Sequence, residues 1–398
     1  MGIARGIEEL HKLFKANGNR LCYWVDNISI GDDIKDFFIK EFVMPNMFLS
    51  DIPGYLIGRY HDFQGEAVYV RNIFLSESFF LKLEEKVSRA MGSDGLAKLY
   101  GAGKRYGYRF CSIARLPRSE VKFSVRLLYE FIEAIYADSI DTNVDMEQKV
   151  LTITTKNLAV TRVNGGGFPI VGGSAGVWAY LLGDFDTIEC GVTHIADDRY
   201  VLVCGPTERL RESGIRFYES RGAPDIGDMA LYRQLNQPPD IIPPTACNLE
   251  RLLRENVLSN GRGQLQFAFP HERLLSTEIS LPYELESLLG SQILYESARE
   301  SFELIGRDVP KQQDRYSFLA DMLTAFGYGI VTVERGVNSE EFRFAGAPWY
   351  STAKDSDFPI LRGAIEGFIA GQTESQAKAV YVKSELRDNL TVHINAIV

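Results

Sequence analysis

The sequence predicts an α+β protein built from two tandem copies of one unit, each an antiparallel sheet with helices packed on one face, after an N-terminal helical extension. Three observations predict this fold. The chain has 398 residues, more than one hydrophobic core usually supports. Short motifs recur in the same order in its two halves. Finally, segments with strand-like alternation are interspersed with segments of helical apolar periodicity.

The internal duplication rests on three matched segments, which keep their order along the chain. The matches, as first-half and second-half ranges, are 65–70 with 263–269, 99–107 with 294–306, and 168–173 (FPIVGG) with 358–363 (FPILRG). Their offsets drift from 198 to 190, as small insertions between two diverged copies would produce. Self-similarity of this kind predicts two repeats of one structural unit.

These matches divide the chain into four parts. The predicted parts are an N-terminal extension (1–62), a first unit (63–205), a helical and proline-rich linker (206–245) and a second unit (246–398). The extension begins with an amphipathic helix, because Ile7, Leu10 and Phe14 have helical spacing and Gly18 provides a stop. The linker contains an Arg/Glu-rich helical stretch, ERLRESGIRFYESRG, followed by QPPDIIPPT, whose prolines favour a stiff, extended chain.

Within each unit the elements follow from apolar spacing. Each unit opens with a strand, at Ala67–Val70 and Leu265–Phe269. Helical stripes follow at Phe79/Leu83/Val87/Met91, Val125/Leu128/Ile132/Ile135, Tyr295/Ala298/Phe302/Ile305 and Phe318/Met322/Ala325. Alternating segments at Val150–Thr154 and Ile330–Val333 predict strands. The FPI motif then leads into a helix of small residues, and a final hairpin closes each unit, at 187–204 and 378–394.

Composition excludes several classes of protein. The charge sum of 43 basic and 53 acidic residues is −10, which gives no general attraction to nucleic acid or to an anionic membrane. No apolar run reaches the ~18–20 residues of a membrane span, and the N-terminus lacks an apolar signal core. Five cysteines, with no CxxC pair, favour a reduced, cytoplasmic setting.

Two motifs resemble a known family. The helix Gly363–Gly367 after a short loop, and the stretch Leu99–Gly107 with its LYGAGKRYG sequence, resemble the closing half and the central helix of the 4-vinyl reductase domain. Its superfamily includes subunits of the TRAPP vesicle-tethering complexes and is similar to haem-binding nitric-oxide sensor domains. The resemblance implies two tandem domains of this type over about 300 residues.

The resemblance favours a non-catalytic module that binds or senses a small hydrophobic molecule. The aromatic and aliphatic residues expected to line a pocket are Phe79, Phe80, Leu83, Tyr100, Tyr106, Leu294, Tyr295 and Phe302. The alternative is an assembly protein, because TRAPP-like domains pair through their helices and a tandem copy looks like a covalent dimer. An enzyme such as a reductase ranks last, since no cofactor motif or proton-transfer constellation occurs. The expected partners are a small hydrophobic molecule for the first function, and a protein partner or self-association for the second.

The glycines of the small-residue helices have two readings. Spacing of one helical turn lets a helix lie against its neighbour, which predicts close packing at Gly173, Gly176, Gly363 and Gly367. The functional reading is that such packing shapes the wall of an apolar pocket. The glycine-rich loop before Gly173 lacks the Gly-Lys-Ser/Thr of a nucleotide site, so it predicts a turn before the helix.

No metal or other cofactor is expected. Some bacterial relatives of the resembled type carry cysteines in the final hairpin, but Val192 and Arg199 stand at those positions here. Cys190, His194 and Cys204 form a weak candidate metal cluster on that hairpin, with buried hydrophobic cysteines as the simpler reading. None of the five histidines falls in a convincing haem-ligand helix.

Overall fold

The computed structural model describes most of the chain after its first fifty-one residues. The described ranges are 52–61, 67–160, 167–196, 198–225, 236, 242–243, 246–260, 266–337, 339–349, 356–373, 378–386 and 390–397. The predicted N-terminal amphipathic helix and most of the proline-rich stretch therefore lie outside the described residues. The α+β class is confirmed, since the described ranges contain nine helices and three antiparallel sheets.

The helices are α1 Glu77–Ile113, α2 Val121–Tyr136, α3 Phe168–Leu182, α4 Thr207–Glu212, α5 Leu249–Arg254, α6 Ser280–Leu289, α7 Ser291–Asp308, α8 Arg315–Ala325 and α9 Pro359–Thr373. The strands are β1 Leu56–His61, β2 Ala67–Ser76, β3 Ser139–Asp145, β4 Val150–Lys156, β5 Ile188–Ala196, β6 Arg199–Pro206, β7 Ser259–Asn260, β8 Phe267–Ala268, β9 Arg273–Glu278, β10 Ile330–Arg335, β11 Ser339–Ala345, β12 Lys378–Leu386 and β13 Leu390–Ile397.

The two units have the same topology. The first unit contains a four-stranded sheet in the order β3-β4-β6-β5, and the second has the matching order β10-β11-β13-β12. In each unit the helix with the FPI motif, α3 or α9, connects the first hairpin of the sheet to the second. β5 and β12 are therefore corresponding edge strands.

A third sheet joins the units. Its order is β1-β2-β9-β8-β7, and β2 of the first unit pairs antiparallel with β9 of the second, from Asn72 opposite Glu278 to Ser76 opposite Leu274. The sequence did not predict this sheet. The opening strand expected at Leu265–Phe269 is only the two-residue β8, and β9 instead leads toward the helices, as β2 does in the first unit. β1, assigned to the N-terminal extension, completes the edge by pairing with β2.

A glycine interrupts the long helical segment of each unit. Gly92 in α1 has φ 60° and ψ −141°, and Gly290, between α6 and α7, has φ 83° and ψ 161°. Positive φ is strained for residues with a Cβ, so glycine permits this break. Ser76 caps the start of α1 by accepting a hydrogen bond from the Phe79 amide at 3.2 Å.

Two ion pairs join the helices of the two units on either side of these glycines. Lys86, six residues before Gly92, contacts Glu300 at 2.7 Å, whereas Glu284, six residues before Gly290, contacts Arg105 at 3.0 Å. Both members from the first unit are basic and both from the second are acidic. If two copies of the first unit paired in the same way, Lys86 of one copy would meet Arg105 of the other. This pattern therefore favours pairing of the two different units.

Glycines also let the central helices cross closely. A Cβ on Gly172 of α3 would lie 2.0 Å from the Tyr100 carbonyl oxygen, and one on Gly176 would lie 2.0 Å from that of Lys104. On α9, a Cβ on Gly363 would lie 2.4 Å from the Tyr295 oxygen, and one on Gly367 would lie 2.0 Å from that of Arg299. The contacts thus match Gly172 with Gly363, whereas the FPI motifs, when aligned, match Gly173 with Gly363. Gly173, by contrast, has room, since its Cβ would meet only the Gly103 oxygen at 3.8 Å.

Glu272 is expected to make stability depend on pH. Its buried carboxylate accepts a hydrogen bond from the Ser78 amide at 2.8 Å, and burial raises its pKa from 4.5 to about 7. The folded state therefore holds this proton more tightly than the unfolded chain, and the associated stability is present below pH 4.5 and lost as pH rises to 7. The loss is about 3 kcal/mol, from 1.36 kcal/mol per pKa unit.

Urea unfolding at pH 4.5 and pH 8 checks this expectation. Glu272→Gln, which has no proton to release, should show a pH dependence smaller by about 3 kcal/mol than that of the native chain. The other buried carboxyls titrate in both proteins and cancel in the comparison. Parallel pH profiles for the two proteins would be incompatible with the assigned burial of Glu272.

Candidate functional site

An apolar cavity of about 100 Å³ lies inside the first unit, where that unit meets the second. Helices α1, α2 and α3 and strands β4 and β6 surround it, and β9 and α6 of the second unit close one side. Residues that represent these walls are Phe110, Ile132, Val177, Ile153, Leu275 and Leu281. The cavity forms because aliphatic residues of α2, at helical spacing, face the inward side chains of β4.

Two residues that line the cavity, Tyr129 of α2 and Ser276 of β9, carry incompletely hydrogen-bonded hydroxyls, and both residues are more than nine-tenths buried. The Ser276 hydroxyl has no partner among the described residues, whereas the Tyr129 hydroxyl lies near the Ser174 side chain without a well-aligned hydrogen bond. Burial raises the pKa of Tyr129 well above its ordinary value, and the interaction with Ser174 offsets part of that rise. The phenol therefore stays protonated and can donate a hydrogen bond. Buried polar groups without partners are uncommon, since each costs about 1–3 kcal/mol.

The rest of the cavity is neutral. None of its described lining residues is charged. The Tyr136 hydroxyl, which also faces this region, donates to the Ser276 carbonyl oxygen, and burial raises its pKa to about 12. Transfer of an ion into such surroundings is strongly unfavourable. The site therefore selects against charged molecules.

The predicted lining residues are distributed over four places. Phe80 and Tyr106 line the cavity. Phe79, Leu83, Leu294 and Phe302 are buried in the core without facing it. Tyr100 belongs to a buried polar cluster in the first unit, and Tyr295 lines a groove in the second. Sequence reasoning missed Tyr129 and Ser276.

The buried polar cluster consists of Tyr100, Lys104 and Glu189. The Lys104 ammonium lies 2.8 Å from a Glu189 oxygen, and the Tyr100 hydroxyl donates to the other oxygen at 2.6 Å. Both charged side chains are fully buried. Burial raises the pKa of Glu189 and lowers that of Lys104, while their mutual attraction opposes both shifts. Such a pair depends on each partner remaining in place.

A segment of the linker covers this cluster. Predicted as helical through Gly222, the stretch in fact leaves the helix after Glu212, and Gly214 (φ 69°) turns the chain. The chain beyond is held by polar contacts: the Ser220 amide donates to Glu189 at 2.8 Å, and Lys104 donates to the Ser220 carbonyl at 2.7 Å. These bonds account for the extended conformation, because a continued helix would use the same backbone groups internally.

The candidate metal cluster is placed only in part. Cys190 and Cys204 lie directly opposite each other on β5 and β6, both buried, and burial raises the pKa of the Cys204 thiol. The side chain of His194 lies outside the described part of the structure. Across the described ranges, no three His, Cys, Asp or Glu side chains are grouped so that they could hold a metal ion.

Comparison with known proteins yields no relative. No protein-family pattern, curated protein or solved structure matches the chain significantly. The resemblance to the 4-vinyl reductase and TRAPP-like domains therefore stays a prediction. Among the described residues, no helix is both long and apolar enough to cross a membrane.

Proposed function

We propose that the chain binds a small, uncharged, mostly apolar molecule carrying one hydrogen-bonding group, in the cavity between α1, α2, α3 and β9. The observation that carries this proposal is the buried Ser276 hydroxyl, which has no partner among the described residues, beside the incompletely bonded Tyr129 hydroxyl in a mostly apolar cavity with no charged lining residue. A ligand hydroxyl or carbonyl would satisfy one or both of them. A purely structural core gains nothing from leaving a buried hydroxyl without a partner.

The size of the cavity limits the ligand. A cavity of about 150 Å³ in another protein binds benzene, so about 100 Å³ admits a molecule of similar or smaller size unless side chains move. Leu275, Ser276 and Leu281 of the second unit complete the wall. The ligand would consequently contact both units. Binding would strengthen the packing between the units, which suits a sensory role such as the resemblance implies.

A matched pair of probes tests the chemistry of the site. Cyclopentanol and methylcyclopentane have nearly the same shape, but only the alcohol can hydrogen-bond. Methyl NMR of the lining residues Ile132, Ile140 and Ile153 reports binding at the cavity itself. Removing both hydroxyls should weaken the binding of cyclopentanol by about 3–10-fold, as one net hydrogen bond of about 0.5–1.5 kcal/mol implies, and should not weaken that of methylcyclopentane.

Variants of the two hydroxyls provide the control. Ser276→Ala and Tyr129→Phe remove incompletely bonded groups, so both proteins should remain folded, and the combined variant should bind the alcohol more weakly and the alkane no more weakly. Ser297→Ala, at a buried serine bonded to the Ile293 carbonyl on α7, should leave both affinities unchanged. Unperturbed cavity methyl signals at saturating probe, or the same cyclopentanol affinity in the native chain and the combined variant, would count against the proposal.

An assembly role remains the second candidate function. One observation favours it: within the described ranges, the second unit has an uncovered groove at the edge of its sheet, where the first unit is covered by its own linker.

A further inference from the structure

The two units contain corresponding clefts with different covers. Gly172 and Gly363 approach the carbonyls of Tyr100 and Tyr295, and Gly176 and Gly367 approach those of Lys104 and Arg299. Tyr295 therefore corresponds to Tyr100, and Arg299 corresponds to Lys104. In both clefts the tyrosine hydroxyl donates to a glutamate carboxylate, Glu189 in the first unit and Glu366 in the second.

The linker shows how such a cleft is filled. Phe217 pairs antiparallel with Gly191 on edge strand β5, so the segment runs beside the sheet as a short added strand. The Tyr218 ring lies 5.9 Å from that of Tyr100 and 5.2 Å from that of Phe168. Three basic side chains on α1 donate to backbone carbonyls of the linker segment: Lys104 to Ser220, Arg105 to Gly222 and Arg109 to Asp225. An aromatic side chain and backbone carbonyls are thus the groups that the cleft binds.

No described residue covers the cleft of the second unit, which is a groove of about 560 Å³. Tyr295, Arg299, Arg362, Glu366 and residues 378–380 line it. Its lining charges are three basic and one acidic, on a chain of net charge −10. Asp357 pairs with Arg362 at 2.8 Å, which reduces the local surplus to +1, while neither Arg299 nor Lys378 has a hydrogen bond or ion pair to any described residue.

The adjoining strand edge is apolar and exposed. β12 is the edge of its sheet, and Val380 and Val382 are 38% and 46% exposed. The Glu366 carboxylate already accepts the Tyr295 hydroxyl and the Ala379 amide, so the donors that face an incoming carbonyl or carboxylate are Arg299 and Lys378. β12 has a bulge between Tyr381 and Lys383, so an added extended chain would pair with the part of the edge before the bulge.

We propose that this groove binds an extended segment of a partner protein that contains an aromatic residue flanked by acidic residues. The backbone of the segment adds to β12, and its aromatic ring packs beside Tyr295, whose ring already lies 5.0 Å from the Arg362 guanidinium. Arg299 and Lys378 bind the carbonyls and carboxylates of the segment. The geometry follows the linker segment on the first unit, and the acidic character follows from the positive surplus. Complementary charge at the rim mainly raises specificity and association rate.

Two labelled peptides test the proposal on the full chain. One has the linker sequence of residues 215–222, IRFYESRG, and the other, IEFYESEG, replaces both arginines by glutamate. Fluorescence anisotropy should show the acidic peptide binding at least 10-fold more tightly. Arg299→Ala should weaken it by about 10-fold, whereas Arg307→Ala, an exposed arginine of α7 paired with Glu303, should not change it.

Other outcomes would overturn the proposal. Absence of binding by either peptide at millimolar concentration, or binding that Arg299→Ala leaves unchanged, would show that the groove does not hold such a segment. Another copy of this chain is a different occupant, which sedimentation of the native chain and of the Arg299→Ala variant would detect. A native dimer that this substitution dissociates would assign the groove to that second copy and overturn the proposal.

Discussion

Replacing Lys104 by methionine is expected to lower the free energy of unfolding by about 3–5 kcal/mol at pH 8. Methionine has a similar length but no charge, so it leaves the Glu189 carboxylate buried without its cation. The Ser220 carbonyl also loses the ammonium that holds it at 2.7 Å. Urea unfolding followed by circular dichroism measures the change.

The pH dependence of this loss identifies its cause. Without the ammonium, the pKa of the buried Glu189 carboxyl rises further, so protonation at pH 5 should recover part of the lost stability. Glu189→Gln in the same chain should restore much of it at every pH, since glutamine can still accept the Tyr100 hydroxyl. Lys98→Met, at an exposed position of α1, should change stability by no more than about 0.5 kcal/mol. An equal loss in Lys104→Met at pH 5 and pH 8 would argue against an ionic origin.

Alanine at Gly172 is expected to destabilise the chain by about 3 kcal/mol or more. The added methyl would lie 2.0 Å from the Tyr100 carbonyl oxygen, and the obstacle is backbone, which cannot rotate away. α1 and α3 would have to separate, at a cost at or above the usual 1–3 kcal/mol of overpacking. Urea unfolding followed by circular dichroism measures this change, together with the yield of folded protein.

The adjacent Gly173 provides a matched control. Its Cβ would meet nothing closer than 3.8 Å, so Gly173→Ala should be neutral or should stabilise the helix by about 0.5–1 kcal/mol. Failure of Gly172→Ala to fold, with Gly173→Ala folded, would agree with the structure. Similar stability for the two variants would contradict the helix register that the contacts define.

These two variants also show what the sequence could and could not predict. The repeated FPI motif located α3 and α9 correctly, because helices of small residues have a distinctive composition. Its alignment, however, matched Gly173 with Gly363, whereas the contacts match Gly172 with Gly363. A one-residue difference in the motif leaves no trace in apolar spacing, and only the carbonyls of the opposing helix distinguish the two registers.

The candidate site was less predictable than the fold. Phe80 and Tyr106 were expected at a pocket because α1 is aromatic, but the pocket is completed by Ser276 of the other unit. That contact depends on the pairing of β2 with β9, and pairing across about 200 residues is not encoded in local periodicity. Similarly, the linker between Ile215 and Gly222 has helical composition, and its extended course is imposed by side chains of α1.

The central claim is that the cavity beneath Tyr129 and Ser276 holds a ligand. Its most direct test is gas chromatography–mass spectrometry of a chloroform extract of the purified chain, beside an extract of Ser276→Phe, in which the ring fills the cavity. The proposal predicts one uncharged small molecule with a hydroxyl or carbonyl group, near one per chain, in the native extract only. Identical extracts from two equally folded proteins would contradict it.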